Sequence, residues 1–173
     1  MEFNLIHATQ ILKRTPEIVD LWLRDLPEKW IQNNEGGDSW CPFDIIGHYI
    51  HGEKTDWIPR LEIILRENGP KNFEPFDRFA QFENSKGKSI SDLLDEFRAL
   101  RVASLARLER LSLQDDQLNL KGIHPEFGEV SLRNLLASWV VHDLAHFGQI
   151  SRVMAKQYKG EVGPWINYMS VLK

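Results

Sequence analysis

Apolar residues recur at helical spacing along four long stretches of the chain. The first runs from about Glu2 to Leu26 and carries Leu5, Ile6, Ile11, Leu12, Ile18, Val19, Trp22, Leu23 and Leu26. Pro16 predicts a kink or restart within it, and Pro27 stops it before the loop chemistry of residues 32–38. The second runs from about Pro42 to Asn68, through Ile45, Ile46, Tyr49, Ile50, Trp57, Leu61, Ile64 and Leu65. Pro42 suits a first helical position, where its missing N–H is harmless. Pro59 predicts a kink and Gly69-Pro70 a stop. The third starts near Ser89, with Asp92 placed as in a capping box, and carries Ile90, Leu93, Leu94, Phe97, Leu100, Leu105, Leu108 and Leu111. The fourth starts after Ser131, a good N-cap, and continues to about Tyr158, where Lys159-Gly160 ends it. Its apolar positions are Leu132, Leu135, Leu136, Trp139, Ile150, Val153 and Met154.

The connections are longer than bundle loops usually are. Residues 69–88 form a polar, aromatic-spiked segment expected to pack as an ordered loop or to carry short helical turns. Residues 112–130 connect again, with turns marked by Gly122, Pro125 and Gly128, and nothing reads as a strand ladder. The tail after Glu161 is too apolar to float freely, so Trp165 and Tyr168 are expected to dock on the helices. Four long helices predict an all-α four-helix bundle, in a single domain spanning residues 1–173.

Composition narrows the function classes. The chain is 42% hydrophobic and 27% charged, with a formal net charge of −4, which reads as globular and well able to bury a core. No basic stripe stands out, so nucleic acid is not an expected partner. No stretch is apolar for the length of a membrane span, and the N-terminus lacks a leader-like apolar run, so a cytoplasmic protein is expected. The single cysteine, Cys41, excludes an intrachain disulfide and reads most simply as a small buried hydrophobe.

Candidate chemistry lies in the fourth helix. His142 and His146 are one turn apart and follow Trp139 on the face expected to point at the core. Buried imidazoles need partners, because unpaired polar groups are costly to desolvate. A divalent metal is one partner; hydroxyls or backbone carbonyls satisfying two cavity-lining histidines are the other. A metal needs a third ligand from another helix, and His48, three residues after Ile45, shares a core-facing stripe of the second. Three protein ligands would leave a position for water or substrate. Imidazoles suit zinc, nickel, copper and iron alike.

The neighbours of these histidines carry weaker expectations. Asp143 should point about 100° away from His142, which favours plain solvation over support of the site. His51 and Glu53 are read as a solvated or partly buried face rather than as orienters of His48. His7 and His124 show no partner pattern, and Trp40, Trp57 and Trp139 are expected in the core. No phosphate loop, dinucleotide fingerprint, nucleophile elbow or calcium loop is present.

Two stretches carry a family resemblance. Residues 38–53, DSWCPFDIIGHYIHGE, resemble the tryptophan, histidine and glutamate stretch of the DinB-like superfamily. Residues 136–150, LASWVVHDLAHFGQI, resemble its final-helix motif of two histidines separated by three residues, then Gly-Gln and an apolar residue. The resemblance implies a four-helix bundle of unusual connectivity, often a homodimer, holding one divalent metal, commonly nickel or zinc, through three histidines. Matched residue by residue, these are His48, His142 and His146. It implies an enzyme acting on a small molecule: a metal-dependent hydrolase, or an S-transferase using a low-molecular-weight thiol as co-substrate. A non-catalytic metal- or ligand-binding module of a stress response is the alternative from another class.

Overall fold

Local sequence signals set most helix ends. The computed structural model describes residues 1–173. Helix α1 (Leu5–Leu23) begins where the Asn4 side chain accepts the amide of His7. A short α2 (Glu28–Gln32), not apparent in the sequence, follows Pro27. Helix α3 (Pro42–Thr55) starts with its proline at the first position. Helices α4 (Trp57–Leu65) and α5 (Ala80–Asn84) lead to α6 (Ile90–Arg110), whose Ser89–Asp92 capping box forms as expected. A hairpin of β1 (Lys121–His124) and β2 (Gly128–Ser131) feeds α7 (Leu132–Lys156), where Ser131 and Asn134 cap reciprocally. No helix is long and apolar enough to cross a membrane.

The two helix-interior prolines behave differently, and the reason is where the freed carbonyl goes. A proline leaves the carbonyl four residues earlier without its helical donor. Pro16 frees Leu12, whose oxygen instead accepts Arg101 Nη1 at 2.8 Å, and α1 runs on unbroken through the proline. Pro59 frees Thr55, and there the chain breaks: Asp56 (φ −109°, ψ −68°) separates α3 from α4. The long second helix is therefore two helices, interrupted one turn before the proline.

The four long helices form a bundle. Helix α1 packs against α6 and α7, and α3 packs against the same two, so α1 and α3 are diagonal although α3 is the next long helix in the chain. Two apolar clusters fill the interior. One centres on Leu12, Trp57, Leu61, Leu108 and Trp139; the other on Val19, Leu23, Ile46, Ile50, Phe97 and Ile150. Between them lies a buried polar group with a member from each long helix: Thr15, Glu53, Arg101 and Asp143.

The hairpin corrects the expectation of no strand ladder. It is antiparallel, pairing Gly122 with Val130 and His124 with Gly128. Ile123 also exchanges backbone hydrogen bonds with the 71–73 segment, donating to Lys71 and accepting from Phe73 at 2.8 and 2.9 Å. Four-residue strands are too short to show a period in the sequence. Gly122 lets the hairpin dock, since a Cβ there would sit 2.6 Å from the Phe73 ring. The tail differs from expectation as well. Trp165 and Tyr168 are 67% and 86% exposed, and Leu172 is the residue that buries, in a last turn packed on α7.

Candidate metal centre

The three expected histidines meet. His48 on α3 faces His142 and His146 on α7, with ring centroids 4.4–5.0 Å apart. The Nε2 atoms of His48 and His142 are 3.0 Å apart, and one ring nitrogen from each of the three residues falls within a 4.8 Å set. Two nitrogens sharing one tetrahedral zinc at 2.0–2.1 Å would be about 3.3 Å apart. The imidazoles sit at the edge of the buried face rather than in the core, half-buried on α7 and buried on α3. Trp40 and Tyr49 pack around them, Trp40 tilted on His48 and stacked near His146.

Their electrostatics suit a ligand set. Burial, then the neighbouring imidazoles, pushes His48 down to about 3. Burial and His142 push His146 down to about 4, against the opposing pull of Gln149. Both rings are thus neutral at ordinary pH, with lone pairs available for a cation. Three imidazole nitrogens are a donor set that fits a divalent metal, and ligands without negative charge leave its full charge uncompensated.

The outer nitrogens have distinct neighbours. His146 Nδ1 donates to Gln149 Oε1 at 2.7 Å, which leaves Nε2 for the shared centre. His142 Nδ1 lies 3.9 Å from Asp143 Oδ1, an electrostatic contact too long for a hydrogen bond. His48 Nδ1 is buried without an aligned partner, as are both amide atoms of Gln81. Gln81 adjoins the His48 ring closely enough to oppose the fall in its pKa. These orphans complement each other, since a carboxamide oxygen can accept an Nδ1–H. Gly47, beside His48, makes the approach feasible, because a Cβ there would meet Ser85 Oγ at 2.6 Å and Gln81 Cβ at 3.3 Å.

Three expectations about neighbouring residues are overturned. Asp143 is not solvated: its side chain is fully buried, accepting Arg101 Nη1 and Nη2 at 2.6 and 3.1 Å and Thr15 Oγ1 at 2.5 Å. Its place midway between Leu136 and Ile150 puts it in the centre of the buried stripe, with His142 at the margin. Glu53 is also buried, accepting Arg101 Nε at 2.8 Å and Trp139 Nε1 at 3.1 Å. Burial raises Glu53, whereas His142, Arg101 and Thr15 outweigh burial and hold Asp143 low. His51 is buried against Phe76, outside the trio. Cys41 is buried as expected, and burial and Asp44 push its thiol up to about 12, so it is inert.

A cavity of about 440 Å³ opens onto the centre, lined by His48 and His142 together with Trp40, Trp57, Phe76 and Phe127. It also receives Asp56, Arg60 and His124. Asp56 lies 2.5 Å from Arg60 Nε, an ion pair without hydrogen-bond alignment, and burial raises its pKa despite Arg60. Sequence reasoning missed Gln81, Arg101, Asp56 and Arg60 and dismissed His124. Only Arg101 had a visible signal, as a charge between Phe97 and Leu108 on an otherwise apolar stripe.

A family model described as the DinB superfamily matches residues 11–150. No curated protein sequence matches the chain. Among solved structures, the fold is similar to that of YfiT from Bacillus subtilis, a probable metal-dependent hydrolase with an unusual four-helix bundle topology. The TM-score is 0.75 at 18% identity, over 90% of this chain and 94% of that one. At that identity the likeness shows the fold.

Proposed function

The chain belongs to the DinB superfamily, and from that premise we propose that it is a divalent-metal-dependent hydrolase of a small molecule, with His48, His142 and His146 as ligands. The carrying observation is the convergence of the three histidines beside a cavity of about 440 Å³ whose wall includes His48 and His142, within the size range of small-molecule sites. A metal held there supplies Lewis acidity, polarising a carbonyl and making water acidic enough to ionise near neutral pH.

The chain's own residues set the conditions. Gln149 fixes the ring of His146, and Gln81 is placed to do the same for His48. Trp40, Trp57 and Phe76 give the cavity apolar walls that displace water from a bound substrate and strengthen the electrostatics inside. A module that only holds a metal has no need of such a cavity, and a ligand-binding module without turnover is separated by the turnover screen below. The YfiT description favours hydrolysis over thiol transfer.

The test is metal content and turnover together. Protein purified without chelator or a metal-binding tag should carry about one equivalent of divalent metal by elemental analysis. His142→Ala should lose it, and full retention would remove His142 from the ligand set. Ester and amide substrates, screened with nickel, zinc and manganese, should be hydrolysed. Transfer of an added thiol to an electrophile would replace the hydrolytic reading and leave the centre intact.

A further inference from the structure

His124 lies on the hairpin, far in sequence from the three histidines of the centre, and lines the same cavity as His48 and His142. Its Nδ1 receives two backbone amides, Glu126 N at 3.1 Å and Phe127 N at 3.3 Å. Backbone N–H groups only donate, so Nδ1 must carry the lone pair and the single proton of the neutral ring must sit on Nε2. The ring is clamped as well, stacked on Phe127 with centroids 4.3 Å apart and edge-on to Phe73. Burial, then the charge of Arg60, lowers its pKa, which agrees with a ring locked neutral by its own turn. The turn therefore presents a fixed Nε2–H with no partner in the protein.

The other charges of the cavity are already matched. Arg60 pairs with Asp56, and at the rim Arg78 Nη2 lies 3.7 Å from Glu126 Oε2. The His124 N–H is a donor whose direction its own turn fixes, and the walls around it are aromatic. We propose that His124 is a substrate-binding residue, donating from Nε2 to a carbonyl-type oxygen of an aromatic carboxylate or its ester held between the aromatic walls. This deepens the reading of the cavity as a substrate site and rests on it.

Benzoate is the probe, with the full-length protein. Long-range proton–nitrogen spectra of the wild type at pH 7 should show His124 neutral and protonated at Nε2, with that signal shifting as benzoate is added. His124→Phe keeps the stack on Phe127 and removes the donor. It should retain metal by elemental analysis and bind benzoate about tenfold more weakly, the size of one lost hydrogen bond. A proton on Nδ1, an absence of benzoate binding, or an affinity unchanged in His124→Phe overturns the proposal. Should the variant fold poorly, the wild-type spectra decide alone. Elemental analysis of the protein purified without chelator separates this proposal from the metal: a His124-dependent affinity in protein that carries no metal as purified sinks the hydrolase and leaves His124 standing. Metal retained with no dependence on His124 does the reverse.

Discussion

Two polar clusters lie side by side in this bundle, and His142 and Asp143, adjacent in sequence, belong one to each. The Glu53–Arg101–Asp143 knot closes on itself but for one oxygen, Glu53 Oε2, which lies beside Ser104 without an aligned bond. Arg101 reaches both carboxylates and the Leu12 carbonyl, and Thr15, Trp139 and Tyr49 add further donors, Tyr49 to the Asp143 carbonyl at 2.8 Å. The histidine trio does the opposite: its nitrogens converge on one point beside a cavity, and two of its outer nitrogens lack aligned partners. Buried polar groups that partner one another hold a fold together, whereas groups converging beside a cavity are placed to take a partner the chain does not supply.

The largest effect is expected at the knot. Arg101→Met leaves Asp143 and Glu53 buried without their cation and should destabilise folding by about 3–5 kcal/mol, read by denaturant unfolding. Converting Glu53, Arg101 and Asp143 together to apolar residues of similar volume should recover most of that loss. A change under about 1 kcal/mol for Arg101→Met would mean that the knot is not structural.

At the trio the expected effect falls on metal rather than folding. Gln81→Leu removes the amide beside His48 and should weaken metal binding about 10–100-fold by competition with a chelator. Unaltered affinity would show that Gln81 only fills space.

A further effect is in pH. In chelated protein His48 and His146 sit near 3 and 4, below their ordinary 6.5. Below about pH 6.5 the unfolded chain takes up protons that the folded rings refuse, so stability should fall from pH 6.5 toward pH 4. Carboxylates held low, such as Asp143, lose their contribution only in stronger acid. Unfolding midpoints at pH 7 and pH 5 check this, and His48→Phe should flatten the difference. Equal midpoints in the wild type would contradict the low imidazole pKa values.

The fold and the meeting of the three histidines were legible because their signals are local: caps at Ser89 and Ser131, apolar spacing, and histidines one turn apart. Asp143 misled because its angle was taken from His142 instead of from Leu136 and Ile150, which bracket it on the buried stripe. Helix α5 and the hairpin are too short to carry a period, and they deliver Gln81 and His124 through contacts with distant residues. Gly47 and Gly122, which admit those contacts, look in the sequence like any other glycine.

The break at Pro59 and the unbroken run through Pro16 have one further consequence. Arg101 satisfies a carbonyl on α1 and carboxylates on α3 and α7 at once, so no two- or three-helix subset of the bundle gives it a full set of partners. Partial assemblies strand a charge in an apolar setting, and only the complete quartet relieves it. Assembly is thereby driven toward an all-or-none transition, with misregistered helices rejected before they can persist.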